Sequence, residues 1–136
     1  MLKAGEDLGK LLLRWAIGGL MLFHGVYKLT HGIDFITGML QQAHLPTPLA
    51  YGVYLGEVVA PILLILGLWS RAAGLMVACD MVVAILLTKG DQIFAVGERG
   101  GGLAIELEAL YLVGGVVITL IGAGSWSVSR GKGLWN

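Results

Sequence analysis

Apolar residues fill four stretches of the chain, each long enough to cross a hydrocarbon core of about 30 Å, which takes about 20 helical residues. They run from about Leu8 to Lys28, Leu49 to Ser70, Arg71 to Thr88 and Gly102 to Gly124. Lys10 and Arg14 lie near enough to the start of the first stretch to extend their charged heads toward an interface. The second and third stretches carry one charge each, Glu57 and Asp80, and the fourth carries Glu106 and Glu108 in its opening turns. The pattern predicts an all-α fold: an integral membrane four-helix bundle forming a single domain over residues 1–136.

The link between the first two stretches has a period of its own. In IDFITGMLQQAHLPTP, Ile33, Ile36, Leu40 and Ala43 recur at helical spacing, while Asp34, Thr37, Gln41 and Gln42 fall elsewhere on the wheel. That spacing predicts an amphipathic helix lying in the interface or dipping into it. Pro46 and Pro48 end it and aim the chain into the second stretch. KGDQIFAVGERGGG, between the third and fourth, is polar and glycine-rich and reads as a loop. Many of the 22 glycines fall inside the apolar stretches, where small residues let helix backbones approach closely in lipid. They predict a tightly packed bundle and are compatible with a homo-oligomer.

Composition agrees with a chain whose solvent is lipid. Of 136 residues, 57% are hydrophobic and 13% charged, against roughly 25% charged in soluble domains, and the mean hydropathy is +0.83. The formal net charge is zero, so nothing points to a nucleic-acid partner. Cys79 is the single cysteine, which excludes an internal disulfide framework or a CxxC pair. One thiol and three histidines offer no iron–sulfur or zinc site, and His31 and His44 lie in connecting segments, so neither a metal nor a haem is expected. MLKAGEDLGK mixes acids with bases and lacks a small-residue cleavage site, so the first apolar stretch reads as a retained span.

Lysine and arginine placement predicts the orientation. Lys3, Lys10, Arg14, Arg71, Arg130 and Lys132 fall on one side and only Lys28, Lys89 and Arg99 on the other. The first side, with both termini, is expected in the cytoplasm.

A charge at the centre of a span costs roughly 2.5–3.5 kcal/mol on insertion scales, so Glu57 and Asp80 should face the bundle interior and invite a functional reading. At 1.5 Å per residue, Glu57 lies about 12 Å below the end of its span, and Asp80 falls at about that depth on the next. His24 and Lys28 share a face near the end of the first span, and Glu106 and Glu108 enter about one turn into the fourth. Every span thus delivers a polar group to one level. Pro61 offers no N–H to the Glu57 carbonyl four residues back, so the second span should bend there, with Tyr54 on the same face as Glu57. Glu106 and Glu108 are about 200° apart on a helix, so only one can point fully inward, and Glu106 is expected to do so. The acids outnumber the bases, a combination suited to proton exchange with a bound carrier. A buried hydrogen-bonded knot that fixes helix register is the other reading of the same residues.

LLLRWAIGGLMLFHGVYKL at Leu11–Leu29, LPTPLAYGVYLGEVVAPILLILGLWSR at Leu45–Arg71 and GAGSWSVSR at Gly122–Arg130 resemble the DoxX family of small bacterial membrane proteins. Arg14, His24–Gly25 and Lys28 match the family pattern in the first span, Glu57 that of the second, and Gly67-Leu68…Arg71 its exit. The closing segment departs from the family's GPG and SLD, reading Gly122-Ala123-Gly124 and Ser127-Val128-Ser129. The resemblance implies a four-helix membrane bundle and a link to quinone-reducing membrane redox systems, with electrons supplied by a redox partner protein. The resulting expectation is an oxidoreductase subunit that binds a quinone or similar lipophilic molecule. His24, Glu57 and Asp80 would handle protons, Lys28 and Tyr54 would position a carbonyl or anion, and Glu106 would complete the cluster. A small-molecule or lipid carrier, and a scaffold or assembly protein without a ligand, are the alternatives.

Overall fold

The computed structural model describes residues 2–97 and 100–136. Arg99, one of the basic residues that set the expected orientation, lies outside them. Among the described residues the regular secondary structure is helical, apart from one isolated β-bridge between Val96 and Leu103. Five α-helices follow in order: α1 (Leu2–His31), α2 (Asp34–Gln42), α3 (Ala60–Leu66), α4 (Ser70–Lys89) and α5 (Glu106–Ile121). A 3-10 segment (Thr47–Gly52) and a π-helical segment (Leu55–Val59) lead into α3, so that Thr47–Leu66 forms one irregular rod.

Among the described residues two helices are long and apolar enough to cross a membrane, Thr47–Leu66 and Ser70–Gln92. The outer two rods are marked differently. Helix α1 has 30 residues and carries Lys10, Arg14 and Lys28 within its apolar run, and α5 has only 16 residues, about 24 Å of helix.

The rods close into a ring of contacts: α1 packs on α3, α3 on α4, α4 on α5, and α5 back on α1. Their shared core holds Ile17, Met21, Ala60, Leu64, Ala73, Val77, Met81, Tyr111 and Ile118. Helices α4 and α5 cross closely at Gly74 and Gly115, where a Cβ on either would stand 2.6–2.7 Å from the other's carbonyl oxygen. Such contact is the geometry small residues permit between helices.

The surface inverts the usual sorting. Phe23 is 77% exposed, Leu20 58%, Leu86 63% and Leu110 63%, whereas Arg14 and Glu57 are buried. Apolar side chains cover the outward faces of α1, α4 and α5, and a contiguous apolar exterior of that extent calls for a lipid or protein environment.

Helix α2 forms where the amphipathic period places it. Ile33 and Leu40 are buried with Ala50 and Val53, with Ile36, Tyr54 and Leu87 packed around them, while Asp34, Gln41 and Gln42 face outward. Beyond α4, a 3-10 turn (Gly90–Gln92) and a small hairpin connect to α5, the hairpin held by Ala104 N–H to the Ala95 carbonyl at 2.8 Å.

Candidate functional site

The irregularity of the second rod builds the site. Pro61 lacks an N–H, and the Ala60 N–H reaches back five residues to the Leu55 carbonyl, giving the π turn that contains Glu57. Such turns often mark functional positions. Here the expected break at Pro61 takes the form of a widened turn just before it. The Glu57 carbonyl faces α1 at Gly25, where any Cβ would collide with it. Gly25 therefore lets α1 lie directly against the break, which brings Lys28, nearly one turn further on, to the Glu57 carboxylate.

Lys28 Nζ donates to Glu57 Oε1. Glu57 is 4% exposed, and its second oxygen, Oε2, is buried without a partner. Asp80 comes in from α4 across Gly56, whose missing side chain makes room for the aspartate, and Asp80 Oδ2 is also buried without a partner. The ammonium thus pairs with Glu57 alone, and both carboxyl groups hold an unused acceptor.

These three side chains form the polar floor of a cleft of about 490 Å³. Its walls are apolar: Leu55 from the second rod, Met76 and Val83 from α4, and Phe35, Met39 and Leu40 from α2, which roofs it. Leu49, Leu55 and Val83 are more than half exposed, so the cleft opens sideways through the apolar surface. Its volume and its few convergent polar groups match small-molecule sites generally.

Of the six residues the sequence singled out, the structure brings together Lys28, Glu57 and Asp80 and sets three apart. Tyr54 sends its hydroxyl to the Lys28 backbone carbonyl at 3.4 Å, flanking the cleft without lining it. His24 is exposed and meets Tyr111 edge-on, with ring centroids 6.1 Å apart. The expectation that Glu106 turns inward is corrected. Glu106 is exposed beside the glycine loop at Gly102, while Glu108 turns in and accepts from Lys89 Nζ at 2.7 Å. The reason is that Lys89, at the end of α4, already reaches the Ala104 carbonyl at 2.6 Å and holds the start of α5 in that rotation.

Sequence reasoning missed the walls. Cys79 and Met76 lie on the face of α4 that lines the cleft, and Phe35 and Met39 on α2. The period of α2 gave its apolar face but not what that face covers.

It also misjudged Arg14. That residue does not extend to an interface: it is 1% exposed and donates through Nη1 to the Leu64 carbonyl at 2.8 Å and through Nη2 to the Trp126 carbonyl at 2.6 Å. The signal lay in its depth, about two turns inside an apolar run, where a charge must find an internal partner.

The family model for DoxX matches residues 9–90, which includes Lys28, Glu57 and Asp80. An uncharacterized membrane protein of Mycobacterium tuberculosis (strain ATCC 25618 / H37Rv) is 28% identical over 126 residues, covering 87% of this chain and 77% of its own. No solved structure matches. With an apolar exterior, two helices able to span a bilayer and the family pattern across more than half its length, the chain is a membrane protein and belongs to the DoxX family.

Proposed function

We propose that the protein is a redox-associated subunit of the bacterial inner membrane that takes a quinone or similar lipophilic molecule into the Lys28–Glu57–Asp80 cleft. In this reading α1, Thr47–Leu66, α4 and α5 all span the bilayer, α2 lies at the outer interface, and both termini are cytoplasmic. The excess of lysine and arginine at the end that holds the termini supports that orientation.

The observation that carries the proposal is the cleft itself. Its apolar walls suit an isoprenoid-like body, its side entrance lets such a body arrive from the lipid, and its floor offers the polar contacts a ring head group needs. Glu57 and Asp80 can take up or release protons as the head group changes state, and Lys28 holds Glu57 in place. Electrons come from a partner protein. Tyr54 supports Lys28 through its backbone carbonyl, and His24 and Glu106 stand apart from the head group.

Thermal unfolding of the purified full chain with increasing decyl-tailed benzoquinone tests the reading. Saturable stabilisation is expected, on the order of 2–3 kcal/mol at a hundredfold excess over the dissociation constant, and Glu57→Gln should reduce it. A flat response would contradict the proposal. The side entrance also suits a carrier of lipids or small amphiphiles, and proton-coupled uptake into liposomes abolished by Glu57→Gln would select that reading instead.

A further inference from the structure

All four tryptophans of the chain gather at the end of the helix ring opposite the cleft. Trp15 donates its indole N–H to the Ile65 carbonyl at 3.2 Å, and Trp69 stands in the turn between α3 and α4. The Trp126 carbonyl accepts from Arg14, and the Trp135 carbonyl accepts the Arg71 N–H at 2.9 Å. Each of the four side chains is exposed. Two of them belong to the tail, residues 122–136, which is tied to α1, to the end of α3 and to the start of α4. Its Ser125 N–H donates to Asp7, its Val128 N–H to the Leu66 carbonyl, and its Asn136 Oδ1 accepts the Trp69 N–H. The tail is thus held in one place, yet Trp126, Val128, Leu134 and Trp135 leave apolar surface open. Its charged side chains are Arg130 and Lys132, both exposed and neither paired with a carboxylate among the described residues. Of the four indole N–H groups, only that of Trp15 has a protein acceptor among the described residues.

Indole joins an apolar body to a single N–H, and it settles where hydrocarbon meets head groups. A lysine or arginine at that boundary strengthens attraction to anionic lipid by about fivefold. The apolar exterior of the helices begins at the same margin, with Leu12, Leu75 and Leu120 exposed, so the bilayer reaches the tail. We propose that the tail is a lipid-binding strap. It lies in the head-group layer with Trp126, Val128, Leu134 and Trp135 submerged, while Arg130 and Lys132 take the phosphate of an anionic phospholipid. The strap uses none of the cleft residues and needs no particular orientation of the chain, so it stands or falls apart from the quinone reading.

Because the tryptophans share one end, the emission of the native full chain reports on that end alone. The protein is reconstituted in vesicles of phosphatidylcholine and phosphatidylglycerol, with one lipid or the other carrying brominated acyl chains as the quencher. At equal mole fraction, brominated phosphatidylglycerol is expected to quench as though about fivefold or more enriched beside the protein, and about 1 M salt should abolish that preference. Trp15→Phe with Trp69→Phe leaves only the tail's tryptophans to report and should keep it. Arg130→Gln with Lys132→Gln should bring it within about twofold of parity, the attraction of both cations being lost. Equal quenching of the native protein by the two lipids overturns the proposal without need of any variant. A native preference that survives loss of Arg130 and Lys132 overturns it as well. Tail tryptophans that neither brominated lipid quenches would place the strap outside the bilayer, facing a soluble partner instead.

Discussion

The two ends of the helix ring treat buried polarity in opposite ways. At the Arg14 end, the guanidinium ties the Leu64 carbonyl, near the end of α3, to the Trp126 carbonyl of the C-terminal tail. Arg71 Nη1 does the same for Thr119 and Leu120, the last turn of α5, and its Nε reaches the Asn136 carbonyl at 3.0 Å. The Val128 N–H closes on the Leu66 carbonyl at 3.0 Å. Carbonyls that a helix end leaves open are thus met by cations and by the returning chain.

At the Lys28 end, a buried acid is paired once, a second acid is unpaired, and about 490 Å³ beside them is empty of protein. At the Arg14 end most of the buried polarity is matched with donors, and beside the cleft two acceptors are left without one. The fastened end is not perfect, since Arg14 Nε and Ser70 Oγ also lack partners. The difference lies in the cleft that adjoins the open acceptors at the Lys28 end.

Substitutions at the two ends should therefore separate stability from ligand response. The largest loss is expected at the fastened end. Arg14→Met would leave the Leu64 and Trp126 carbonyls without their donor, at roughly 1–3 kcal/mol each. Thermal unfolding should show that drop, while the stabilisation conferred by added benzoquinone stays within error of the native value. A loss of ligand response along with stability would erase the distinction.

Gly25→Ala comes next, at about 1–3 kcal/mol, because its methyl would strike the Glu57 carbonyl and push α1 off the broken rod. Unlike Arg14→Met, it should also weaken ligand stabilisation by moving Lys28. Lys28→Met removes the partner of a buried carboxylate that lies only partly open to the surface, and about 2 kcal/mol is expected. Adding Glu57→Gln to it should recover part of that loss without restoring the ligand response.

The smallest effect belongs to Asp7, before the apolar run. Hydrogen bonds from the Ser125 hydroxyl and, at 2.9 Å, from the Ser125 N–H hold its carboxyl below the usual aspartate value, with Lys10 and Lys3 adding to the shift. A carboxyl lowered on folding stabilises the folded form above its unfolded value, near pH 4, and that contribution is lost as pH falls through the folded value. Asp7→Asn should therefore narrow the stability difference between pH 6 and pH 3, as read from melting curves. The contact is exposed, so the change should be slight.

Much of the Lys28 end was legible from counting. Glu57 and Asp80 stand at matched depths because adjacent spans share an end, and Lys28 follows from the same count. Pro61 pointed to the break, though not to its form as a π turn. The choice of Glu108 over Glu106 was not legible, because it depends on Lys89 reaching across a loop whose path no periodicity encodes. The fastened end was nearly invisible for the same reason. Backbone carbonyls carry no sequence signature, so the partners of Arg14 and Arg71 appear only once the tail is seen folded back. His24 and Tyr54 fell on the right level of the right spans, but level alone does not say which way a side chain turns.

The most direct measurement is the quinone content of the protein purified from its native membrane in mild detergent, by organic extraction and mass spectrometry. Close to one quinone per chain is expected in the native protein, with a clear fall in Glu57→Gln prepared alongside and equally folded. Quinone at the background level of an unrelated membrane protein, or an unchanged amount in the variant, would contradict a ligand held at the Lys28–Glu57–Asp80 floor.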